Sequence, residues 1–141
     1  MAWTLWALGG CEAELPAPPP TDPDLRAELG IDDDVVIHRV DLTGREDEVR
    51  VVPRETVARP GDVVQVVALD HRVYLIAFAA AELGAAQAEF LRSTGQDSPA
   101  PLVERGSRLV LTFEDAPPGN YGFRVETAGL SAPGVIRVEA R

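Results

Sequence analysis

The chain has 141 residues, 45% of them hydrophobic and 26% charged, a composition that suits one ordinary globular domain whose core needs no disulfide staples. Its formal net charge of −10 excludes a phosphate-binding surface, because affinity for DNA or RNA rests on neutralising phosphates with Lys and Arg. All 13 basic residues are arginine and they are scattered, which reads as coding bias rather than as a device for gripping carboxylates or phosphates.

At the front, residues 3–8 form a short apolar run that ends in Leu8-Gly9-Gly10-Cys11. This tetrapeptide resembles a bacterial lipobox, in which small residues before the cysteine admit the signal peptidase and the thiol takes a diacylglycerol. The resemblance implies a signal peptide at residues 1–10 and lipidation of Cys11. The leader is shorter than the ~15–30 residues of ordinary secretory signals and carries no basic residue, which a start codon lying upstream would explain. Cys11 is the one cysteine, so no intramolecular disulfide can mark the compartment. Residues 11–30 are expected to be the lipidated N-terminus and its tether, since Pro16-Ala17-Pro18-Pro19-Pro20-Thr21-Asp22-Pro23 favours polyproline II. No other segment approaches the ~20 apolar residues of a membrane span, so membrane contact is expected through the lipid alone.

Residues 31–141 are expected to fold as the domain. A β-branched run at 35–40 lies between Asp32-Asp33-Asp34 and Thr43-Gly44-Arg45 and reads as a strand. Residues 49–57 give a second strand broken at Pro53, which implies an edge or a bulge. Pro60-Gly61-Asp62 marks a turn, and strands follow at 63–69 and 73–78. The Ala-rich stretch 79–91, anchored by Leu83, Phe90 and Leu91, predicts a helix, and 93–101 a loop. The last third alternates: Leu109, Leu111 and Phe113, then Tyr121, Phe123 and Val125, then Ile136 and Val138 face inward, while Arg108, Arg124 and Arg137 point away. Seven or eight short strands with Pro/Gly turns and one short helix between strands predict an all-β protein, an antiparallel sandwich or Greek-key barrel. Asp32-Asp33-Asp34 lacks the spaced ligands of a calcium loop and reads as a solvated turn, and Glu46-Asp47-Glu48 as a charged hairpin tip. No nucleophile motif, His-Glu-x-x-His or phosphate loop is present, so no enzyme is expected.

Val51-Val52-Pro53, Gly61-Asp62, Ala68-Leu69-Asp70, Gly119-Asn120-Tyr121-Gly122-Phe123-Arg124-Val125 and Gly134-Val135-Ile136-Arg137-Val138 together resemble the frame of a cupredoxin of the plastocyanin/azurin-like kind. The resemblance covers about residues 35–139 and implies a Greek-key β-sandwich. A blue-copper centre needs two imidazoles and a thiolate, usually with an axial methionine. The first ligand position falls near Tyr74, with His71 about three residues too early, and Val125 stands where the thiolate belongs. Residues 126–134 hold neither the second histidine nor a methionine, so a type 1 copper centre and any other cofactor are not expected.

Tyr74 and Val125 are thus vestigial ligand positions. Val125 reads as aliphatic filling of the old cavity. Tyr74 reads either as a core aromatic with its hydroxyl at the rim or as an exposed aromatic that, with His71 and Leu130, forms a loop-end surface. The expected function is an exported, lipid-anchored binding or assembly module of a bacterial cell envelope, whose partner is an envelope protein or a small ligand. The alternative is a copper-binding or electron-transfer protein with a non-standard site that includes His71. Exposed apolar residues at the loop end would favour the first, and convergence of His38 and His71 the second.

Overall fold

The structure is a computed structural model that describes residues 22–140. The expected lipidation position Cys11, the expected leader at 1–10 and the proline-rich segment through residue 21 lie outside the described residues. β1 (Ile37–Gly44) and β2 (Val49–Val52) form a hairpin with Glu46-Asp47-Glu48 at its tip, closed by the Arg45 N–H on the Glu48 carbonyl at 2.8 Å. β2 stops at the cis Val52–Pro53 peptide, and the chain crosses to a second sheet as β3 (Glu55–Ala58). Pro53 falls between two edge strands, where its missing N–H removes no ladder bond. A turn in which Gly61 takes φ 98° leads into β4 (Val63–Ala68). Then come β5 (Leu75–Phe78), α2 (Ala85–Ser93), β6 (Arg108–Thr112), β7 (Gly119–Thr127) and β8 (Leu130–Val138).

The two four-stranded sheets run β2-β1-β4-β6 and β3-β8-β7-β5. They are mixed, not antiparallel as expected: β1 lies parallel to β4 and β3 to β8. The cause is the crossover. β3 carries on from β2 in the other sheet and the 59–62 turn reverses the chain, so β4 re-enters beside β1 in the same direction.

Two boundaries also move. β1 begins at Ile37 rather than 35, because Val35 is held in a turn by its N–H on the Asp32 carbonyl. The helix begins at Ala85 rather than 79: the Glu82 and Leu83 N–H groups both bond the Ala79 carbonyl in a turn, and Gly84 caps the helix behind it.

The inner faces share one core, including Val40, Leu42, Val64, Val66, Leu111, Val125 and Ile136, all buried. Phe90 of α2 closes it, with its ring 6.1 Å from Phe113 and 6.1 Å from Tyr121, and the latter two 5.4 Å apart edge-on. Tyr121 donates its hydroxyl to the Pro117 carbonyl at 2.7 Å, which satisfies the one polar atom of that cluster.

The packed body starts before residue 31. α1 (Asp22–Leu29) buries Leu25 completely, and Arg26 reaches the carbonyls of Asp32 and Val35. Glu28 pairs with Arg108 on the outer face of the first sheet, so the helix lies over that face. Arg108, expected in solvent, is therefore mostly covered.

Candidate functional site

Three connections meet at the end of the sandwich where β4 gives way to β5, and Asp70 and Tyr74 tie them together. Its carboxylate accepts the Tyr74 hydroxyl at 2.8 and 2.9 Å, the Gly44 N–H at 2.9 Å and the Arg72 N–H at 3.1 Å. The Tyr74 backbone pairs with Leu102 in both directions at 2.9 Å. Tyr74 is completely buried, which removes it from the expected loop-end surface: its phenol turns inward to Asp70 rather than out to solvent. Burial, and then the Asp70 hydrogen bond, push its pKa well above the ordinary tyrosine value.

Val125 sits in the middle of β7, fully buried, opposite Ile76 on one side and Ala132 on the other. Beyond it, β7 and β8 continue as one ladder up to the pair Thr127–Leu130. Ala128 and Gly129 both take positive φ, 48° and 81°, the signature of a two-residue type I′ turn. The segment that the resemblance would have carry a histidine and a methionine is thus a tight hairpin with no loop to hold them. Val125 has no donor atom, and the Tyr74 oxygen is committed to Asp70. These residues do not fit a blue-copper centre.

The two histidines do not converge. His71 is exposed in the loop after β4. His38 pairs in register with Val64 near the other end of that strand, and its Nε2 lies 2.9 Å from an Asp62 oxygen that also accepts the Arg59 N–H. From Val64 to Ala68 alone is roughly 13 Å along β4. Among the described residues no group of three His, Cys, Asp or Glu could hold a metal ion.

The same end does expose apolar side chains. Val73, Leu75 and Val103 are 49%, 48% and 58% exposed. Val73, Leu75 and the partly buried Leu130 line one concavity of about 380 Å³ against the 128–129 turn. Of these only Leu130 was singled out from sequence. Val73 and Leu75 were legible as the outward partners of Tyr74 and Ile76 in an alternating strand, but a run apolar on both faces reads simply as buried.

The fold is similar to that of the oxidised plastocyanin from Dryopteris crassirhizoma, at 17% identity and a TM-score of 0.53 over 72% of this chain and 99% of that one. A mutant fern plastocyanin matches at 18% identity, TM-score 0.50, over the same shares. The architecture is a cupredoxin-like sandwich. No protein-family model matches the sequence, and no curated protein matches it.

Proposed function

We propose that this chain is a cupredoxin-fold binding or assembly module that works without a blue-copper centre and docks an envelope protein through the apolar concavity at the loop end. The observation that carries this reading is the pairing of two features at one place: donor-free or committed groups at Tyr74 and Val125, and solvent-exposed Val73, Leu75 and Val103 beside them. Apolar residues gathered at one end of a domain are the expected mark of a docking patch. The role is binding rather than catalysis. The module is exported and held to the membrane by a lipid on Cys11. Among the described residues no helix is long and apolar enough to cross a membrane.

A photo-reactive residue placed at Leu75 or Val103 should cross-link one discrete partner in envelope preparations, and the same residue at Val57, exposed on another part of the molecule, should not. Equal capture from all three positions would rule the patch out. Cys11→Ser should release the protein from the membrane fraction without unfolding it, and retention of that variant would remove the lipid anchor from the proposal.

A further inference from the structure

A second concavity, also about 380 Å³, lies on the outer face of the second sheet, away from the loop end. Its floor is Gly122 on β7 and Val135 opposite it on β8, with Pro133 alongside. Gly122 does not take a positive φ, and a Cβ added there would stand 3.4 Å from Glu82 Oε2 and 4.0 Å from the Ala79 Cβ, ordinary contact distances. The fold therefore does not demand a glycine at this position. Gly134 differs, because a Cβ there would meet the Phe123 ring at 2.3 Å.

Around this floor stand Arg54, Glu82 and Asn120, all exposed. Their neighbours on the face are paired, Arg137 with Glu55 and Arg124 with the Ser131 hydroxyl. The side chains of Arg54, Glu82 and Asn120 have no hydrogen-bond or ion-pair partner among the described residues. Glu82 reaches over Gly122 on β7, and Arg54 accepts the Val135 N–H on its carbonyl from beyond β8, at the start of the β3 column. Two strand spacings separate those columns, roughly 10 Å.

We propose that this concavity binds a short peptide of two or three residues with both termini free. Glu82 takes the ammonium, Arg54 the carboxylate through paired N–H donors, and Asn120, as donor and acceptor at once, a peptide group between them. The missing side chain at Gly122 lets the ligand main chain lie against the sheet. A single amino acid carries both charges on one carbon and does not span roughly 10 Å, whereas an extended chain gains about 3.3 Å per residue. The site is separate from the loop-end patch and does not depend on the docking role.

The full chain, isotope-labelled, titrated with trialanine should show backbone shifts at Asn120 and Val135 that saturate. Glu82→Gln and Arg54→Gln should each weaken binding about two- to fivefold, the range of exposed ion pairs. Gly122→Val should abolish it at unchanged melting temperature. N-acetyl-trialanine amide, with neither charge, should bind about four- to 25-fold more weakly. Equal binding of the blocked peptide, shifts confined to other surfaces, or affinity unmoved by both charge variants would overturn the site.

Discussion

The outer faces of the two sheets follow opposite plans. In the second sheet, β7 and β8 alternate between buried and more exposed residues, and the turn through Ala79 and Glu82 reaches over the outer face at Gly122. In the first sheet, all six residues of β4 are buried. Val63, Gln65 and Val67 of that strand are buried outside the inter-sheet core, as is Leu25 of α1, and the Glu28–Arg108 pair ties that helix to the same side. Among the described residues one face is thus largely solvated, while the other is buried on the side where α1 is tied down. A strand with an unbroken apolar run has to find cover on both sides.

The comparison breaks most visibly under charge insertion. In β7, Val125→Asp places an unpaired carboxylate in the core and should cost about 3–5 kcal/mol, while the adjacent Arg124→Asp on the open face should cost under about 0.5 kcal/mol. In β4 the neighbours should behave alike: Val66→Asp and Val67→Asp should both cost about 3–5 kcal/mol by denaturant unfolding. A silent Val67→Asp would mean that α1 does not cover the face.

Leu25→Ala should cost about 2–3 kcal/mol, at the lower end for a buried leucine because the eight-residue helix can fray instead of leaving a cavity. It should also speed amide exchange in β4 while leaving β7 and β8 unchanged. Exchange that rises equally in both sheets would place Leu25 in the common core.

A smaller contrast separates the two faces of the second sheet. Gly134→Ala points a methyl into the Phe123 ring and should cost about 1–3 kcal/mol. Gly122→Ala, on the outer face, should stay within about 0.5 kcal/mol in a thermal melt.

The smallest effect at ordinary pH is the tyrosine titration. The chain's two tyrosines, Tyr74 and Tyr121, are both fully buried, and burial pushes Tyr121 up to about 12. A phenol whose folded pKa is raised holds its proton more tightly when folded. Its contribution is therefore complete below about pH 10 and is lost as pH rises above it. Stability should be flat from pH 7 to 9, then fall by about 1.4 kcal/mol per pH unit for each tyrosine, with phenolate absorbance appearing only as the chain unfolds. Phenolate signal near pH 10 in folded protein would contradict the burial of these rings.

Much of this was legible in the sequence, and the misses have physical causes. The period-2 run from Tyr121 to Val125 located strand β7 and its inward face correctly. The tight hairpin went unread, although Ala128-Gly129 between Thr127 and Leu130 carries its signal, a glycine where φ must be positive. Parallel pairing went unread because period-2 patterning is blind to strand direction and the crossover at Pro53 is a tertiary event. Cover by α1 went unread because Asp22-Pro23 looks like the end of a proline tether, whereas Pro is equally at home in a first helical turn. Tyr74 illustrates the limit for sites: no pattern tells whether a phenol at a strand end points out or back to a carboxylate four residues earlier.

The central proposal is that a cupredoxin-like fold works here without a blue-copper centre. It is tested most directly by adding Cu(II) to the Cys11→Ser protein, which removes the chain's one thiol from the question. The account predicts no intense visible charge-transfer band and only weak binding that disappears when His38 and His71 are both changed to alanine. A tightly bound, stoichiometric copper with reversible redox chemistry would contradict it.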